Sequence, residues 1–230
     1  MKWARANKWL AGMALLAGCL MLPVAGQSRA PRQFQVRLET TKGVIVIAVQ
    51  RAWAPRGADR FYQLVRTGYY NQIRFHRVIA GKWAQFGING DPQTAQAWRT
   101  QTIPDDPPVG VSNQRGTVAF AFAVPNGRTT QVFFNLRDNS ATHDKEPFVP
   151  FGKIVQGMEV ADALNAEYGE TAGGGIRAGK QTPLFEGGNT WLEKNFPRLD
   201  YIRRATIVKH NAGYARILRA RTKKQFVHGQ

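Results

Sequence analysis

The chain is nearly without cysteine: Cys19 is the only one in 230 residues, and it lies in an apolar stretch near the N-terminus. No disulfide can form within residues 31–230, so stability there must come from packing. The histidines His76, His143, His210 and His228 are scattered. They offer no metal-ligand spacing, and neither a metal nor a cofactor is expected. There is no Gly-x-Ser-x-Gly elbow, the marker of a serine hydrolase. Gly174, Gly179 and Lys180 have P-loop spacing, but Gln181 stands where magnesium requires Ser or Thr, and no strand pattern precedes the loop. Asp105 and Asp106 are adjacent in an extended stretch and point to opposite sides. Before Pro107 and Pro108 they read as turn chemistry rather than as a catalytic pair. Acidic residues are also scarce, 15 against 32 Lys and Arg, for a formal charge of +17.

Much of that charge sits at the two ends. Residues 1–30 read as a signal peptide: Lys2, Arg5 and Lys8, then an apolar run from Leu10 to Ala25, then small residues suited to cleavage near Ala25–Gly26 or Ala30. Pro23 and the shortness of the run argue against a membrane-spanning anchor. "LAGC" ending at Cys19 resembles a bacterial lipobox, in which the cysteine becomes the lipidated first residue. Ordinary cleavage is the other reading, favoured by the apolar "LMLPVAG" that follows. Both place the protein outside the cytoplasm, in the periplasm or cell envelope. The basic tail, residues 209–230, carries Lys209, Arg216, Arg219, Arg221, Lys223 and Lys224 with no acidic residue. It reads as a solvated end, with docking onto an anionic surface as the sharper alternative.

Between the ends, a 43% hydrophobic content is enough for one domain with a real core. "FQVRLET" and "VIVIAV" around "TKG" predict a hairpin turning at Gly43. "APRGADRFYQLVRTG" predicts a helix that starts at Pro55, buries Phe61, Leu64 and Val65, and ends at Gly68. "IRFHRVI" is a strand by composition. In "TVAFAFA", Thr117, Ala119, Ala121 and Ala123 share a small-residue face open to close approach, opposite Val118, Phe120 and Phe122. In "QVFFNL", Val132, Phe134 and Leu136 form a core face. Gln131, Phe133 and Asn135 form an amide–aromatic face expected to be concave or open. "FVPFGKIV" is a further strand with Pro150 at an edge or bulge, and "GMEVADALNAEYG" a second helix. Residues 170–200 read as a Gly-rich loop and insertion leading to the last strand, "IRRATIV". Many short strands with two helices indicate a β-barrel or sandwich.

Four stretches in order carry a family resemblance. "FHRVIAGKWAQFG" resembles the Phe-His-Arg segment of the cyclophilins, a family of peptidyl-prolyl cis–trans isomerases. "RTTQVFFNL", "FVPFGKIVQGMEV" and "APRGADRF" are similar to three further segments of the same family. The similarity covers about residues 34–208. It implies a closed eight-stranded antiparallel barrel capped by two α-helices. It assigns Arg77 as the catalytic arginine with Gln85 beside it, and Gln85 and Gln131 as substrate-orienting amides. Phe133 becomes the floor of the proline pocket, and Ala121, Phe122 and Ala123 the strand that pairs with bound peptide. Proline-containing polypeptides, unfolded or newly exported, are the implied partners, and a monomer is expected.

The pattern departs from the family around that pocket. Lys82 and Trp83 stand where an aromatic and an apolar residue are usual; either Trp83 fills the aromatic role from the next position or the pocket is reshaped. Thr142, His143 and Asp144 replace an aromatic-Leu-Asp run, and Phe148 replaces a pocket histidine. Because the family tryptophan contributes to cyclosporin binding, weak inhibition by that cyclic peptide is expected. A binding module that uses the same groove without turnover is the rival reading.

Overall fold

The computed structural model describes residues 29–174 and 180–208. The expectations placed on the apolar leader with Cys19, and on the basic tail, lie outside those residues.

Strands β1 (Gln33–Thr40) and β2 (Val44–Gln50) form the expected hairpin. Gly43, at φ 138°, makes the turn in a conformation few side chains adopt. Alternate residues Val36, Leu38, Ile45 and Ile47 are fully buried, as period-two patterning requires. Helix α1 (Pro55–Arg66) follows, with Ala58, Phe61, Leu64 and Val65 inward. Its N-cap residue, Ala54, has no side chain that can accept a hydrogen bond. The first-turn amides of Arg56 and Gly57 donate instead to the Asp106 carboxylate, at 2.9 and 2.8 Å. The Asp105–Asp106 turn is thus a helix cap supplied from a distance.

The remaining strands are β3 (Ile73–Arg74), β4 (Arg77–Ile79), β5 (Trp83–Phe86), β6 (Thr117–Phe120), β7 (Val132–Asn135), β8 (Pro150–Gln156) and β9 (Tyr201–Val208). Together they form one sheet in the order β3-β9-β1-β2-β8-β6-β7-β5-β4. The pairings are antiparallel throughout. Its two outermost members, β3 and β4, are the halves of the single strand expected over 73–79. One half pairs with β9 and the other with β5, with Phe75 and His76 between them. The sheet therefore curls until its ends are joined by two residues, and nine segments amount to an eight-stranded barrel with one strand shared across the seam. Pro150 sits opposite Ala119 where the register slips, the bulge its missing N–H requires. Inside, Phe61, Tyr70, Phe75, Phe86, Phe120, Phe134 and Phe151 are fully enclosed. Several meet edge-on, as Phe75 and Phe86 do at 5.2 Å.

Further helices accompany the barrel: α2 (Pro92–Arg99), the short α3 (Ser140–His143), α4 (Met158–Asp162) and α5 (Thr182–Asn195). Helix α4 is shorter than the second helix expected from "GMEVADALNAEYG". Helix α5 occupies residues 182–195 of the stretch read as a Gly-rich loop and insertion. Ile88, Ala95, Leu184, Phe185, Leu192 and Leu199 form a second apolar cluster between α2 and α5, and that burial outweighs the glycines in "FEGGN". Gly188 (φ 55°, ψ −145°) breaks the helical geometry within α5. A Cβ there would fall 2.2 Å from the Gly90 carbonyl oxygen, so only glycine permits this approach.

Candidate functional site

The core fixes which residues face outward. Val78, Ala84 and Phe134 are buried inside the barrel, so their neighbours Arg77, Gln85 and Phe133 must project from the opposite face. The register then sets these in one row: Arg77 pairs with Gln85, Gln85 with Phe133, and Phe133 with Ala119. A groove of about 470 Å³ opens over this row. Phe133, only 5% exposed, is its floor. Phe148 stands perpendicular to it at 5.4 Å, and His143 lies edge-on at 5.3 Å. Phe122 packs on Phe148 at 4.5 Å, and Trp83 on His143 at 5.5 Å.

Arg77 is gripped from several sides. One terminal nitrogen donates to Gln85 Oε1 at 3.2 Å. Its Nε and the other terminal nitrogen donate to Glu170 Oε1, at 3.2 and 2.5 Å. The Trp83 ring lies 4.9 Å from the guanidinium carbon. Because arginine can only donate, Gln85 must turn its oxygen toward Arg77 and its amide nitrogen away. That nitrogen donates to Gln131 Oε1 at 2.8 Å. Gln131 in turn donates to Gln181 Oε1 at 2.9 Å and receives a bond back from Gln181 Nε2 at 3.1 Å. Three buried glutamines thus form a hydrogen-bonded chain that ends on the guanidinium.

A second polar network lies beneath the aromatic wall. Asn139 Nδ2 donates to Asn135 Oδ1 at 2.8 Å, and Asn135 Nδ2 donates to Thr117 Oγ1 at 2.9 Å. His143 Nδ1, 3.2 Å from Asn135 Oδ1, is therefore the protonated nitrogen. Burial holds the His143 imidazole below its usual pKa, so the ring is a neutral wall of the pocket.

Most of the expected residues are brought together. Arg77, Gln85, Trp83, Ala121, Phe122, Phe133 and Phe148 all border the groove, and Gln131 supports it through Gln85. Ala123 does not join them; it is exposed beyond the strand. Phe122 was expected on the bulky core face with Val118 and Phe120, but β6 ends at Phe120 and the alternation stops there. The face of Gln131, Phe133 and Asn135, expected to be concave or open, is concave at Phe133, the floor of the groove, but buried throughout, covered by Gln181, Asn139, His143 and Phe148. Glu170 and Gln181 complete the site without having been expected in it, and His143, named only as a departure from the family pattern around the pocket, supplies a ring of its wall. The only sequence mark on Gln181 was its unsuitability as a P-loop residue.

The family model described as cyclophilin type peptidyl-prolyl cis-trans isomerase/CLD matches residues 35–182. Over 142 residues the chain is 34% identical to peptidyl-prolyl cis-trans isomerase A of Dickeya dadantii (strain 3937), covering 60% of this chain and 74% of that one. It is 32% identical over 136 residues to peptidyl-prolyl cis-trans isomerase B of Escherichia coli (strain K12), covering 56% and 82%. Among solved structures, a cyclophilin type isomerase of Cryptosporidium parvum superposes with a TM-score of 0.57 at 18% identity, covering 78% of this chain and 99% of that one. The same protein crystallised in the presence of the dipeptide Ala-Pro gives 0.54 at 20% identity, covering 76% and 99%. At these identities the superposition speaks for the fold.

Proposed function

Because the chain belongs to the cyclophilin-type peptidyl-prolyl cis–trans isomerase family, we propose that this groove is where an X–Pro bond is twisted, with Arg77 as the catalytic group. The reaction is rotation about that bond, and its barrier of about 18–20 kcal/mol is amide resonance. In the twisted transition state the resonance is lost and the prolyl nitrogen carries a localised lone pair. A donor aimed at that nitrogen binds the twisted form better than the planar one, which is the condition for catalysis. A single donor held in a dry site supplies roughly 3 kcal/mol, on the order of a hundredfold in rate. Arginine suits the task because it stays charged and its planar fork can be held by neighbours. Phe133 takes the proline ring, and the small Ala121 lets the peptide come close. No proton moves and no covalent intermediate forms.

The observation that carries this reading is the row itself: a guanidinium held by Gln85, next to an aromatic floor, on one face of the sheet. The test is isomerisation of a short proline peptide by the wild type and by Arg77→Ala at equal concentration. Acceleration that falls at least ~10-fold in the variant supports the assignment. The ion pair between Arg77 and Glu170 favours a second reading, a groove that holds proline peptides without turnover. A folded wild type that binds such peptides and accelerates nothing would establish it.

Clients among newly exported proteins are part of the same proposal. Its support is the composition of residues 1–30 alone.

A further inference from the structure

Taking Arg77 as the catalytic group, as proposed above, we infer that Glu170 and Gln181 are positioning residues that aim its guanidinium. Both come from the stretch after α4 that lies outside the barrel strands. A free arginine side chain samples many rotamers, and a donor that must meet one nitrogen gains from being held in advance. Arg77 carries five N–H donors. Gln85 engages one and Glu170 two. Among the described residues this leaves one N–H on each terminal nitrogen for substrate, and the guanidinium carbon lies 4.9 Å above the Trp83 ring.

Gln85 alone is a weak tether, because an amide can turn over. Its orientation is set by Gln131, and that of Gln131 by Gln181, through a reciprocal pair of amide bonds. Gln181 is the N-cap residue of α5, yet its side chain makes no capping bond. It reaches 50 positions back along the chain to Gln131 and also donates to the Gly174 carbonyl at 3.3 Å. The apolar cluster of Leu184, Phe185 and Leu192 seats α5, so the last amide in the relay rests on packed structure. Glu170 acts from the other edge of the guanidinium. Its side chain is half exposed, so the pair adds little to stability while still limiting rotation.

The experiment compares wild type, Glu170→Leu, Glu170→Gln and Gln181→Leu by NMR exchange on a short proline peptide, which separates the catalysed interconversion rate from peptide affinity. The Arg77 Nη resonances are followed in parallel. We expect the on-enzyme rate to fall about threefold in Glu170→Leu and about fivefold in Gln181→Leu, with peptide affinity within about twofold of wild type. Glu170→Gln, which keeps an acceptor at the same reach, should recover most of the rate. The Nη signals should be distinct in wild type and average in both leucine variants. Unchanged rates in the two folded leucine variants would overturn the inference. So would a faster Glu170→Leu, which would make the carboxylate a competitor for Arg77, or affinity falling by the same factor as rate, which would assign both residues to pocket shape. A wild type that accelerates nothing would instead refute the isomerase assignment of Arg77.

Discussion

His76 should make the protein unusually sensitive to mild acid. It sits at the barrel seam between β3 and β4, 1% exposed, directly before Arg77. Among the described residues, neither ring nitrogen makes a well-formed hydrogen bond. Burial, with the adjacent Arg77 charge adding to it, lowers its pKa from 6.5 to about 3; the Gln131 amide beside it offsets only part of this. In the unfolded chain the ring protonates near 6.5, whereas in the folded protein it stays neutral down to the depressed value. The unfolded state therefore binds the extra proton throughout that window. The associated stability is fully present above pH 6.5 and is lost as pH falls, at about 1.4 kcal/mol per unit. Between pH 6.5 and 4.5 this amounts to about 3 kcal/mol, a large part of a typical 5–15 kcal/mol total. The measurement is denaturant unfolding of wild type and His76→Leu at intervals across that range. Other titrating groups, His143 included, act in both proteins, so the difference between the two curves isolates His76. Parallel curves would refute the argument. So would a His76 resonance in the wild type titrating near its ordinary value, a readout that holds even if the variant folds poorly.

Asp106→Ala should cost about 1–2 kcal/mol in chemical denaturation, because it strips the first-turn amides of Arg56 and Gly57 of their buried acceptor; a change inside experimental scatter would mean water replaces it without loss. Cyclosporin should inhibit peptide isomerisation weakly, since Thr142 and His143 border the groove where the family pattern places a tryptophan, and nanomolar inhibition would contradict this. Mass spectrometry of the protein purified from whole cells should find a mature chain beginning after Ala25 or Ala30, or at a lipidated Cys19; an intact Met1 would remove the export proposal.

What could be read in advance was whatever local periodicity decides. Strand β1 alternates cleanly, the Gly43 turn marks the hairpin, and α1 carries both its proline start and its glycine stop. The seam was not legible, because "IRFHRVI" has the composition of one strand. Its division at Phe75–His76 arises only when the two ends of the sheet meet. Helix α2 carries an end signal, Asp91 accepting from Thr94 at 2.9 Å with Pro92 behind it, but only Ala95 is buried, so no apolar period marks it. Helix α5 was hidden for the opposite reason: its glycines look like a loop until Leu184, Phe185 and Leu192 find α2.

The site divides along the same line. Arg77, Gln85 and Phe133 share a face because Val78, Ala84 and Phe134 are held inside. A slip of one residue in any of these strands would exchange a groove-facing side chain for a core one. The hydrophobic alternation that builds the barrel therefore also places the row, and sequence patterning reaches that far. Glu170 and Gln181 lie on no strand and meet their partners across 93 and 50 positions. No periodicity links residues so far apart; packing of α5 on α2 brings Gln181 to the relay. The row along the groove follows from the sheet, where Gln85 and Trp83 on β5 already meet Arg77, and Glu170 and Gln181 are contributed from outside it. Weakening the α2–α5 contact should therefore reach Arg77 before it reaches Phe133.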